Sequence, residues 1–123
     1  MIRWIDRKQL SENTGGDAEL ACEVLEIFKG QVETWGNMLV ASDPPERWAD
    51  AAHTIKGAAL GIGAHQLAEV CKLAETRGRS APDPSPAQAA VMLNDIRDVM
   101  LPTLEEAASL AHELRFSGKL RAS

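Results

Sequence analysis

The chain has 123 residues, 45% of them hydrophobic and 25% charged, with a formal net charge of −5. That length suits one domain able to bury a core without disulfide or metal staples, and the acidic balance argues against a nucleic-acid partner. No apolar run approaches the ~20 residues of a membrane span, and the N-terminus, MIRWIDRKQL, lacks the apolar stretch of a signal peptide, so a cytoplasmic protein is expected. Cys22 and Cys71 form no CxxC pair and read as buried free thiols. A zinc site built from Cys22, Cys71, His65 and His112 has no short ligand spacing to support it. Tyrosine is absent, β-branched residues are sparse, and no stretch alternates with period two, so the class is all-α.

In chain order, a brief helix is expected near Asp6–Glu12, with Trp4, Ile5 and Leu10 on one side, covering an end of the domain. Thr14-Gly15-Gly16 breaks it, and Asp17 is placed to cap the next helix with its carboxylate. A long helix then runs from Ala18 to about Ala41 on Leu20, Val24, Ile27, Phe28, Val32, Trp35 and Leu39, spaced three and four apart. Ser42-Asp43-Pro44-Pro45 starts a second long helix, Pro45 to Gly61, since proline is tolerated in a first turn. A third helix spans Ala64 to Arg77 on Leu67, Val70, Cys71 and Ala74, with Gly78 as its C-terminal stop. Arg79–Pro86, RSAPDPSP, is the clearest loop. The last helix, Ala87 to Phe116, carries Val91, Leu93, Ile96, Val99, Met100, Leu104, Ala108, Leu110, Ala111 and Leu114. Pro102 inside it predicts a kink. Four long amphipathic segments with short connections make an antiparallel up-down-up-down four-helix bundle with a short N-terminal helix or arm. The whole chain, 1–123, is expected to be one domain, with the bundle core over about 15–116 and a flexible tail at 117–123.

The stretch Ala51–Gly63, AAHTIKGAALGIG, concentrates the chemistry. At about 100° per residue, with Trp48 at the origin, Ala51, Ala52, Ile55, Ala58, Ala59 and Ile62 fall within roughly 80° of it. That is a core-facing stripe. His53 lies at about 140°, Gly57 at about 180°, Lys56 at about 80° and Leu60 at about 120°. The histidine is therefore exposed, with a cation one turn away and a residue without a side chain on its own ridge. Metal binding is disfavoured by Lys56, and a convex helix surface is a poor pocket for hydrolysis, although Asp50 is one turn away. Nucleophilic attack on a phosphoryl group delivered by another protein fits better. Neutral imidazole is available at pH 7, Lys56 offsets the added charge, and Gly57 leaves room for a partner. Ala49, Leu60 and Ala64 would supply a small apolar docking surface. His65 is a polar helix-start residue, and His112 lacks the lysine-glycine context.

His53-Thr54-Ile55-Lys56-Gly57-Ala58-Ala59, followed by Gly61-Ile62-Gly63-Ala64, closely resembles the signature of histidine-containing phosphotransfer (HPt) domains. Gly15-Gly16-Asp17 with Glu19-Leu20, the aromatic Phe28, and Leu67 to Gly78 extend the resemblance over roughly residues 15–115. The resemblance implies a four-helix bundle that carries a phosphoryl group on His53, at Nε2, to and from receiver-domain aspartates in a two-component phosphorelay. It implies Lys56 as phosphate stabiliser, Gly57 as the point of partner access, and Arg79 as a basic residue near the site. Glu75 stands where some members have a neutral amide, so it must point away or make the phosphorylated form less stable. The implied partners are response-regulator receiver domains and a hybrid sensor histidine kinase. The Mg²⁺ would belong to the receiver, leaving this chain without a cofactor or metal and without turnover of its own, as a monomer. The alternative is a bundle of the same fold acting as a non-phosphorylated binding module or kinase inhibitor.

Overall fold

A computed structural model describes residues 3–118, which form five helices and, among these residues, no strand. They are α1 (Arg7–Asn13), α2 (Ala18–Gly36), α3 (Pro45–Ile62), α4 (His65–Gly78) and α5 (Pro86–Ser117). Helices α2 to α5 pack in a closed ring, α2 on α3, α3 on α4, α4 on α5 and α5 on α2. This is the up-down-up-down bundle that short connections between long helices dictate. The core is one cluster centred on Trp48, Phe28, Leu25, Ile55, Leu67, Leu93, Ile96 and Leu110. No helix of the described residues is long and apolar enough to cross a membrane.

The caps follow from local chemistry. Asp17 accepts from the amides of Glu19 and Leu20 at the start of α2, and Ser85 and Gln88 make a reciprocal capping box at the start of α5. Between α3 and α4 the chain turns at Gly63, with φ +77°. A Cβ there would also stand 2.7 Å from the Asp6 carbonyl oxygen, so both conformation and space require glycine. The N-terminal arm is fastened across this end of the bundle. The Trp4 and Ile5 amides donate to the Glu106 carboxylate at 3.1 and 2.7 Å. The Asp6 amide donates to the Gly63 carbonyl at 2.8 Å, and Arg7 pairs with Glu113.

Several expectations are corrected. Helix α2 stops at Gly36, five residues before Ala41. Leu39 still reaches the core, through the turn that follows, where the Arg97 guanidinium donates to its carbonyl. The buried ridge of α2 is Ala21, Leu25, Phe28 and Val32. Leu20 and Ile27, on the adjacent ridge, are exposed. Val91 and Ala108 of α5 are exposed as well, and Thr103 and Ala107 take core positions. As expected, α5 does not stop at Pro102 but continues through it, and next to it the Thr103 hydroxyl donates to the Val99 carbonyl at 2.7 Å. Gly78 ends α4, but its small size serves packing: a Cβ there would lie 2.7 Å from the Trp48 ring. Of the tail expected at 117–123, residues 119–123 lie outside the described residues.

Candidate functional site

The site is built on the seam between α3 and α4. The core stripe of α3, with Trp48, Ala51, Ala52, Ile55, Ala59 and Ile62 buried, turns His53 outward. Its side chain is 60% exposed. Because α4 runs antiparallel beside α3, residues near its C-terminal end come alongside the histidine. Glu75, 13% exposed, takes the central position. Its Oε2 lies 2.8 Å from His53 Nδ1. Its Oε1 accepts from Lys56 Nζ at 2.7 Å, and Arg79 Nε donates to Oε2 at 3.2 Å. Arg79 Nη2 also reaches back to Asp50 Oδ1 on α3, at 2.9 Å.

Partial burial works to raise the Glu75 carboxyl, but the hydrogen bonds from Lys56 and Arg79 and the nearby charges outweigh it, so its pKa is held below the usual carboxylate range. Glu75 is therefore ionised at neutral pH and can only accept. It follows that His53 Nδ1 carries the proton. In the neutral ring Nε2 is then the bare nitrogen, and among the described residues nothing hydrogen-bonds to it. Arg79 is held further toward its charged form, first by the hydrogen bond to Asp50 and then by that to Glu75.

The arrangement redistributes the residues expected at the site. His53, Lys56, Glu75 and Arg79 come together, and Gly57 lies on the exposed face with open space around it. Leu60 is half-exposed, beside a shallow depression of about 420 Å³ lined by Lys56, Ala68, Glu69 and Lys72. Ala49 and Ala64 are fully buried and offer no docking surface. Ala49 faces the α4 seam, where Gly78 packs over it. Ala64 sits in the tight turn, its amide bonded to the Ala59 carbonyl. Glu75 points toward the histidine, which removes the option that it faces away. Lys56 is engaged by Glu75 in this state, and Asp50 pairs with Arg79 rather than with the imidazole. Asp50 had a sequence signal only through its spacing from His53; its partner sits 29 residues away and could not be read from spacing.

The competing histidines have other surroundings. His65 opens α4 with its Nε2 3.5 Å from Asp6, and His112 packs its ring against Phe116. Cys22, Cys71, His65 and His112 do not assemble, and no group of three or more ligating side chains forms among the described residues. A depression of about 930 Å³ lies between α2 and α5, across the bundle from His53. The histidine thus stands on open surface.

A four-helix bundle presenting one histidine on the seam of its central hairpin is the architecture of a phosphotransfer domain. The family model of the Hpt domain matches residues 20–115, and the chain belongs to that family, the histidine phosphotransfer domains of two-component signalling. Among solved structures it is similar to the crystal structure of the histidine phosphotransferase ShpA from Caulobacter crescentus. The TM-score is 0.74 at 33% sequence identity, covering 94% of this chain and 98% of that one. A search of curated protein sequences gives no match.

Proposed function

We propose that this chain is a phosphocarrier that receives a phosphoryl group on His53 Nε2 and passes it between receiver-domain aspartates. The observation that supports this reading most directly is the division of the imidazole: Nδ1 is tied to Glu75 and Nε2 faces solvent. The Nε2 lone pair attacks the phosphorus of a receiver's aspartyl phosphate. The N–P bond forms as the P–O bond to the aspartate breaks, and the aspartate leaves as a carboxylate. No proton has to move, because Nδ1 keeps its own. The positive charge that develops on the ring is stabilised by Glu75, on the edge away from the new phosphoryl group. The Glu75 carboxylate then need not make the phosphorylated form less stable. Glu75 lies on the Nδ1 side, and Lys56 and Arg79 offset its charge. Lys56 stabilises the phosphoryl group electrostatically, and Gly57 and Leu60 form the surface a receiver approaches. The receiver supplies the aspartate and Mg²⁺. The carrier acts as a cytoplasmic monomer, has no turnover of its own, and also exchanges phosphate with the receiver of a hybrid sensor kinase.

The test is incubation of wild type and His53→Gln with phosphorylated receivers. Acid-labile, base-stable label on the wild type and none on the variant is expected. Label on the variant, or none on the wild type with every receiver of the source organism, would overturn the proposal. Kinase inhibition that survives in His53→Gln would instead establish the binding-module reading.

A further inference from the structure

The planar guanidinium of an arginine ordinarily meets a carboxylate with two donors at once. At this site the fork is divided. Arg79 Nε donates to Glu75 Oε2 at 3.2 Å, and Nη2 donates to Asp50 Oδ1 at 2.9 Å. The same Glu75 Oε2 is the atom that meets His53 Nδ1, while Oε1 holds Lys56. A carboxylate offers about four lone-pair positions. With three donors already on Glu75, a two-pronged Arg79 would take the last position, on Oε1, and pull the carboxylate into the guanidinium plane, away from the imidazole.

We propose that Asp50 is a positioning residue for His53. By drawing Nη2 across the seam to α3, it restricts Arg79 to one bond on Glu75. That preserves the acceptor position which holds the ring as its Nδ1–H form with Nε2 bare. Folding stability does not account for the contact, since Asp50 and Arg79 are 58% and 44% exposed and ion pairs this open add little. Without Asp50, Arg79 closes both donors on Glu75, the hold on Nδ1–H weakens, and the ring spends more time as the other tautomer, with the proton on the attacking nitrogen. The consequence for phosphoryl uptake rests on His53 being the phosphoacceptor; the geometry does not.

The experiment reads two quantities on the full chain: the His53 tautomer by ¹⁵N NMR on unphosphorylated protein, and the initial rate of phosphoryl uptake from a phosphorylated receiver. Asp50→Ala, which removes the acceptor, is expected to shift the ring toward Nε2–H and to slow uptake roughly three- to fivefold. Asp50→Glu, which keeps a carboxylate, is expected to restore both. In an Arg79→Ala background Asp50→Ala should have no further effect, because its route is gone. An unchanged tautomer in Asp50→Ala, or an Asp50→Ala effect that persists in Arg79→Ala, overturns the proposal. A tautomer shift with no label on His53 from any donor would instead remove the phosphocarrier reading and leave the role of Asp50 standing.

Discussion

At the residue scale, Glu75 and Gly57 can be separated by different measurements. Glu75 is an acid whose pKa is lowered on folding, since the hydrogen bonds from Lys56 and Arg79 prevail over its partial burial. Its contribution to stability is therefore complete above the ordinary carboxylate range and is lost as pH falls through the lowered folded value. Urea unfolding between pH 7 and 3 should show this acid-side loss, and Glu75→Gln should flatten it. Gly57 separates stability from function. A Cβ added there meets nothing within 4 Å, and alanine in an exposed helix interior is favoured over glycine by up to about 1 kcal/mol. Gly57→Ala should raise the melting temperature and, if the position serves partner access, slow transfer from a receiver. The outward placement of His53, Lys56 and Gly57 was legible from helix arithmetic alone. The orientation of Glu75 was not, because it depends on how α4 is rotated against α3, and that is a tertiary fact.

At the element scale, the α3–α4 hairpin is a tight joint. Gly78 lies against the Trp48 ring and the Ala49 side chain. Gly78→Ala should cost about 1–3 kcal/mol by overpacking, measured by chemical denaturation, and it should disturb the site through the neighbouring Arg79. Beneath the same seam, burial pushes the Cys71 thiol up to about 12. A thiol-specific reagent at pH 8 should therefore modify Cys22, which is only half-buried, well before Cys71. Helix boundaries were readable where a side chain caps them, as Asp17 does, and misread where the end is set by packing. In α2 the leucine and isoleucine at positions 20 and 27 outshine Ala21 in hydrophobicity, yet the smaller residue is the one that α2 buries. Composition favours the larger side chains, while close helix packing favours the small one. For the same reason Ala49 and Ala64 looked available for docking and are instead fully buried, Ala49 against Gly78 and Ala64 in the α3–α4 turn.

For the whole molecule, the ring of four helices keeps the stabilising core and the face that carries His53 apart. His53 makes one hydrogen bond and is 60% exposed, so His53→Gln should leave unfolding free energy within about 0.5 kcal/mol of wild type while abolishing phosphoryl uptake. The bundle itself was legible because amphipathic period and loop length together leave few topologies. The division of charges across the α3–α4 seam was not, since it joins Asp50 to a residue beyond the end of the next helix.

The arm that crosses the Gly63 end has a topological consequence. Arg3 accepts a hydrogen bond from Gln66 at the start of α4, and Gly118 lines the same groove as Asp17 and Ala18 at the start of α2. Both ends of the described chain thus emerge at one pole of the bundle, making the fold nearly circular in connectivity. A short linker from the C-terminus to the N-terminus, with new ends opened between Ala41 and Ser42 at the other pole, would give a permuted protein with the four-helix ring intact. Its His53 would still face sideways, so cargo fused at either pole would leave that face clear.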